Sequence, residues 1–280
     1  MSGELAVEPP KSKRILRALR VYGPLRRCRP LVRYYRRLSV LHERFTVSDD
    51  DIRSACLVPE KALRKKFREA LIILTEAAPL ASLGDYFEFG VYNGTSLSCM
   101  YKVASELGSD GMRFFGFDSF EGLPKGADME DDGIWTPGRW RCPIEVTRAS
   151  LTDRGVDWNR TFLVEGWFHD TLTERCRIEH QMEKASIVMI DCDLYSSTVD
   201  ALRFIRPLIR NEAVLLFDDW YSSGLDEKNL GEKRAFGEFL DSNPGLIVTN
   251  MGSYSDNSQV FHVRRTDQDR GIGGDASTSR

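Results

Sequence analysis

Two apolar runs in this 280-residue chain end in carboxylates: Ile187-Val188-Met189-Ile190-Asp191-Cys192-Asp193, and then Leu215-Leu216-Phe217-Asp218-Asp219. Each reads as a buried strand that stops where its acids begin. In an open parallel sheet, ligands collect outside the carboxyl ends of the strands, so both clusters are expected to face one crevice. Crowded carboxylates repel unless a cation neutralises them, and an all-oxygen set suits a hard ion such as Mg²⁺ better than zinc. A metal-assisted site is the first chemical expectation.

A second constellation lies upstream. Asp85-Tyr-Phe-Glu88-Phe-Gly90-Val-Tyr-Asn-Gly94-Thr95-Ser96 reads as strand, glycine turn and helix start, with Thr95 or Ser96 as cap. The spacing ExGxxxGxS departs from the GxGxxG of dinucleotide folds. A carboxylate at Glu88 repels pyrophosphate and favours a cationic ligand. The next strand ends Phe117-Asp118, where an acid can bind both hydroxyls of a ribose. Acids at these two places suit S-adenosylmethionine, whose amino group, sulfonium and ribose all favour them. A nicotinamide dehydrogenase is disfavoured by the same spacing.

The elements that must position these residues follow from periodicity. Strands are expected at 86–91, 113–118, 161–166, 186–191, 213–218, 246–250 and 259–263, and helices at 60–80, 95–107, 171–184, 197–209 and 232–241. Strands alternating with helices predict an α/β fold with a doubly wound, seven-stranded, mostly parallel sheet. The eight residues 251–258 are too few for a helical crossover, so the last strand should be reversed. Residues 1–10 and 266–280 read as disordered, 11–58 as a basic, partly helical N-terminal extension, and 59–265 as the catalytic domain.

The motifs FEFGVYNGTS, GFDSFEGLP, GWFHDTL, MIDCDLYSST and LLFDDWY, in that order between residues 85 and 220, resemble those of the macrocin-type sugar O-methyltransferases of antibiotic biosynthesis. The resemblance implies a class I methyltransferase, Rossmann-like fold using S-adenosylmethionine and a divalent metal, Mg²⁺ or another. It puts the metal on Asp191, Asp218 and Asp219 and the ribose on Asp118. The expected cofactor set is Glu88, Gly90, Gly94, Thr95, Ser96, Asp118, Ser119, Gly166 and Asp191. The expected acceptor is a small molecule bearing a hydroxyl, in glycosylated form, as on a sugar or related natural product. Asp191, Asp193 and His169 are the candidate bases. Related catechol enzymes use a lysine three residues after the first metal aspartate, but Leu194 stands there. Asp193 otherwise binds acceptor hydroxyls or holds Arg203, Cys192 faces the core, and Ser196 and Ser197 read as caps. Trp220 and Tyr221 either line the acceptor pocket or close the core.

Charge is unevenly spread. Residues 11–37 hold eleven Lys or Arg and no acid; with the chain at −3 and two glutamates in 1–10, residues 38–280 carry −12. The basic stretch either docks on the acidic body, in one subunit or a homodimer, or binds RNA or an anionic surface. Docking is the favoured reading and nucleic acid the less favoured. The polar segment 119–143, with Trp135 and Trp140, is expected to be a lid or an anchored loop. Six scattered cysteines without CxxC spacing, the lack of any run near the roughly 18 apolar residues of a membrane span, and no secretory core at the start lead to a cytoplasmic expectation.

Overall fold

The computed structural model describes residues 59–266. The expected disordered start, the basic extension 11–58 with its docking or dimer role, Cys28, Cys56 and nearly all of the expected tail lie outside the described residues.

Seven strands form one sheet: β1 (Asp85–Phe89), β2 (Phe114–Asp118), β3 (Thr161–Glu165), β4 (Ala185–Ile190), β5 (Glu212–Phe217), β6 (Leu246–Asn250) and β7 (Gln259–Arg265). Their order is β3-β2-β1-β4-β5-β7-β6. All neighbours are parallel except that β7 runs antiparallel to both β5 and β6. The doubly wound sheet with a reversed last strand is the fold that the periodicity predicts, and β7 lies inside the sheet, between β5 and β6.

The helices are α1 (Glu60–Ala77), α2 (Thr95–Leu107), α3 (Ile144–Asp153), α4 (Phe168–Thr171), α5 (Glu174–Glu179), α6 (Tyr195–Ile205) and α7 (Gly231–Asp241). Strand side chains alternate between faces, and two cores result. Phe87, Phe89, Phe115, Phe117, Val188, Ile190, Leu215 and Phe217 pack against α5, α6 and α7 through residues such as Cys176, Phe204 and Phe236. Tyr86, Phe114, Ile187, Met189, Val214 and Leu216 pack on the other side against α1 and α2, where Leu63, Phe67, Ala70, Leu71 and Leu74 recur at helical spacing. Covered on both faces, β4 is buried at every position, as a central parallel strand requires.

Three local expectations need correction. The helix expected over 171–184 is two short helices, broken where Leu172 leaves helical geometry and Thr173 turns extended to cap α5, accepting from the Cys176 amide. The helix expected over 197–209 begins at Tyr195 and tightens into a 3₁₀ turn at Arg206–Leu208, which carries Pro207. Thr95 and Ser96 do not cap α2. Gly94 is the N-cap, and Asn93 accepts from the Thr95 amide at 3.1 Å.

Candidate active site

Strand β1 leads into the turn that the sequence marks. Gly90 has φ +86°, and a Cβ there would lie 1.8 Å from the Asp191 carbonyl oxygen. Only glycine lets the turn after β1 rest on the backbone at the end of β4. The close approach joins the cofactor turn to the acid run. Gly94, at φ +79°, packs against Leu151 and opens α2.

Glu88, expected in the cofactor set, is sealed beneath the turn. It has no exposure, Ser96 Oγ donates to its Oε1 at 2.7 Å and the Tyr86 hydroxyl donates to its Oε2. Burial pushes its carboxyl up to about 8, against the pull of those two donors. The acid braces the turn from beneath. Asp118 accepts from the amides of Val91 and Tyr92 at 2.7 and 2.8 Å through Oδ2, and from Phe120 at 2.6 Å through Oδ1. It thereby orders the glycine turn and the start of the following loop. Ser119 Oγ donates to the Gly122 carbonyl at 3.2 Å, and the Gly166 amide donates to the Asp118 carbonyl at 2.9 Å.

Asp191, Asp218 and Asp219 converge: each offers a carboxylate oxygen, and these atoms lie within 4.8 Å of one another. Burial raises Asp191 well above the carboxylate range, and Asp218 and Asp219 push it further. Burial also raises Asp218, against a hydrogen bond from Tyr254, and lifts Asp219 to about 7. Among the described residues no lysine or arginine forms an ion pair with any of the three. Three oxygen donors without a protein counter-charge fit a hard divalent cation.

Asp193 follows at φ +64°, 9% exposed. Burial, then Asp219 and Asp218, raise it, while Arg139 opposes them. Arg203 is not its partner, because that guanidinium pairs with Asp200 at 3.1 Å. His169 lies in α4 with its side chain 72% exposed and its Nε2 3.2 Å from Asp170. Cys192 points away into the core, as expected. Like Cys99 and Cys176, it is a free buried thiol.

The 119–143 segment is ordered against the body. Trp135 is buried with Ala127, Leu194 and Leu225, so it anchors the loop. Trp140 meets Tyr92 edge to face at 6.1 Å and carries the Arg139 guanidinium over its ring at 4.5 Å. Asp131 accepts from the Tyr195 amide and the Gly231 amide, each at 2.9 Å, and Glu130 accepts from Ser196 N and Oγ at 3.0 and 2.8 Å. The loop's acids therefore cap α6 and α7, and Ser196 donates where the sequence reading has it capping. Trp220 closes the core against Phe217, Phe236 and Phe261. Tyr221 is 39% exposed and donates to Gln259.

Sequence reasoning misses Tyr254, Ser222 and Glu232. The Tyr254 hydroxyl donates to Asp218 Oδ1, Ser222 Oγ donates to Asp219 Oδ1 at 2.7 Å, and Glu232 Oε2 accepts from the Asp219 amide at 3.0 Å. Ser222 follows its aspartate by three residues, a common local pattern, but Tyr254 is brought in from 36 residues away with no motif to announce it.

A family model described as macrocin O-methyltransferase (TylF) matches residues 25–229. A relative from Streptomyces olivaceus, 8-demethyl-8-(2,3-dimethoxy-alpha-L-rhamnosyl)-tetracenomycin-C 4'-O-methyltransferase, is 30% identical over 159 residues, 53% of this chain and 56% of that protein. The match thus spans little more than half of that relative's length. Two solved structures share the fold. The O-methyltransferase NovP aligns with a TM-score of 0.58 at 18% identity, over 73% of this chain and 80% of its own. CalS11, a calicheamicin methyltransferase, aligns with a TM-score of 0.56 at 21% identity, over 84% and 92%.

Proposed function

The chain belongs to the macrocin O-methyltransferase (TylF) family, and from that premise we propose that it methylates a hydroxyl of a sugar or related natural-product acceptor, using S-adenosylmethionine and a divalent cation such as Mg²⁺. Residues 59–265 are its catalytic domain, and it works in the cytoplasm. No helix among the described residues is long and apolar enough to cross a membrane. The observation that carries the reading is the meeting of three carboxylates at the ends of β4 and β5 beside the glycine turn after β1.

In this reading the turn Gly90–Ser96, with Asp118, Ser119, Gly166 and the Asp191 backbone, holds the cofactor. Glu88 contributes through the turn it braces. S-adenosylmethionine supplies a methyl group on a positively charged sulfur, open to in-line attack by an oxygen nucleophile. Asp191, Asp218 and Asp219 would hold the cation, which lowers the pKa of a hydroxyl and orients it. Asp193 lies next to that cluster and can take the hydroxyl proton, so it is assigned as general base; Asp191 would be taken up as a ligand, and the surface position of His169 argues against it. Arg139 opposes the upward push that burial, Asp219 and Asp218 exert on Asp193. The rhamnosyl acceptor in the relative's name supports a glycosylated substrate here.

Calorimetric titration of the purified chain with S-adenosylhomocysteine tests the cofactor half of the proposal. Binding that persists in EDTA is expected, because the turn and the carboxylate cluster are separate sets of atoms. No binding, with or without Mg²⁺, would remove the methyltransferase assignment.

A further inference from the structure

Asp218 and Asp219 do not present free carboxylates. Asp218 Oδ1 receives the Tyr254 hydroxyl and Asp219 Oδ1 receives Ser222 Oγ; no described donor takes either Oδ2. Tyr254 comes from the connection between β6 and β7, and its own position is fixed several times over. It is 7% exposed, with its hydroxyl 3.8 Å from Met189 Sδ. The amides of Tyr254 and Ser255 donate to Ser258 Oγ at 3.0 and 2.9 Å, and Lys66 Nζ of α1 donates to the Met251 carbonyl at 2.7 Å. A buried phenol must find an acceptor, and this one finds a carboxylate of the candidate metal cluster.

We propose that Tyr254 is a positioning residue for the divalent cation: its hydrogen bond to Oδ1 orients the Asp218 carboxylate and favours Oδ2 as the ligand oxygen, and Ser222 does the same for Asp219. The inference rests on the reading of the cluster as a metal centre. Its chemical consequence is an economy of coordination positions. Mg²⁺ takes six oxygen ligands in near-ideal geometry, and a carboxylate held to one oxygen uses one of them, leaving the rest for acceptor oxygens and water. Partners in the outer shell of a metal site fix ligand orientation in this way, and losing one weakens metal affinity by roughly 10- to 100-fold.

The test uses the full chain stripped of metal. Mn²⁺ is titrated into wild type, Tyr254→Phe and Ser222→Ala, with the free ion followed by electron paramagnetic resonance. S-adenosylhomocysteine is titrated calorimetrically into the same samples in EDTA. Tyr254→Phe keeps the packed ring and loses only the hydroxyl. It should weaken Mn²⁺ binding by about tenfold or more while leaving S-adenosylhomocysteine affinity unchanged, and Ser222→Ala should weaken Mn²⁺ in the same sense. Equal Mn²⁺ affinity in Tyr254→Phe and wild type overturns the positioning role. Parallel loss of Mn²⁺ and S-adenosylhomocysteine binding makes Tyr254 a packing residue and overturns it as well. Should Tyr254→Phe fail to fold, Ser222→Ala decides, since undiminished Mn²⁺ affinity there contradicts the single-oxygen setting. A wild type that binds S-adenosylhomocysteine but no Mn²⁺ removes the metal reading itself, and this inference with it.

Discussion

Glu88 and Asp193 are both buried acids, but their surroundings give them different work. Glu88 is sealed under the glycine turn with its two hydroxyl partners, and its carboxyl is raised from 4.5 to about 8 by burial. The neutral form is therefore favoured in the folded state relative to the unfolded one. The associated stability is fully present below the unfolded value of 4.5 and is lost as pH rises through about 8, roughly a few kcal/mol in all. Glu88→Gln cannot titrate, so denaturant unfolding in EDTA should fall less steeply between pH 5 and pH 8 in the variant than in wild type. An unchanged slope would mean that Glu88 is not the titrating group. Asp219 is itself raised to about 7, so part of the slope should survive. Asp193, in contrast, stands at the cluster with Arg139 acting on it. Asp193→Asn should lower kcat by roughly 10²- to 10⁴-fold, the usual range for a lost general base, with S-adenosylhomocysteine affinity retained. Wild-type turnover in that variant would move the base elsewhere.

At the scale of elements, the loop between β2 and α3 is the part least legible in the sequence. Its length and polarity predict a lid or an anchor, and the packing of Trp135 makes it an anchor. The caps it supplies were not foreseeable. Ser196 and Ser197 are ordinary N-terminal residues for a helix, yet the amides at the starts of α6 and α7 are taken by Asp131 and that of Ser196 by Glu130, over 60 residues or more of chain. Such partners are chosen by tertiary proximity, which single-sequence spacing does not encode. Strand ends are different: β4 and β5 stop where apolar residues give way to Asp191 and Asp218, because a carboxylate cannot continue a fully buried strand without a partner. Asp131→Ala removes acceptors from two helix N-termini at once. It should cost about 2–3 kcal/mol of stability, near the sum of two caps, measurable by urea unfolding. A loss below about 0.5 kcal/mol, the scale of an ordinary surface substitution, would mean that water replaces the carboxylate at both ends.

At the scale of the molecule, strand order decides where chemistry can occur. The chain winds outward from β1 to β3, returns beside β1 as β4, and continues outward to β5. A crevice opens at that reversal, outside the carboxyl ends of β1 and β4, where Gly90 rests on Asp191. The reversed β7 matters equally. It lets β6 run in the direction of β5, so the connection after β6 arrives at the edge where β5 ends, and Tyr254 meets Asp218. Alternation of strands and helices, the glycine turn and the paired acids made the sheet and the centre of the site readable. Tyr254, the support brought from furthest along the chain, arrives only once β7 is inserted between β5 and β6. The central claim is that this crevice transfers methyl groups to an acceptor hydroxyl with help from a cation on Asp191, Asp218 and Asp219. Its most direct test is transfer of labelled methyl from S-adenosylmethionine to a rhamnosylated acceptor, measured for the full chain in Mg²⁺, in EDTA, and for Asp218→Asn in Mg²⁺. Label on a sugar oxygen in Mg²⁺, lost in EDTA and falling by at least about 10²-fold in Asp218→Asn, is the predicted result. Undiminished transfer in EDTA and in Asp218→Asn would contradict it.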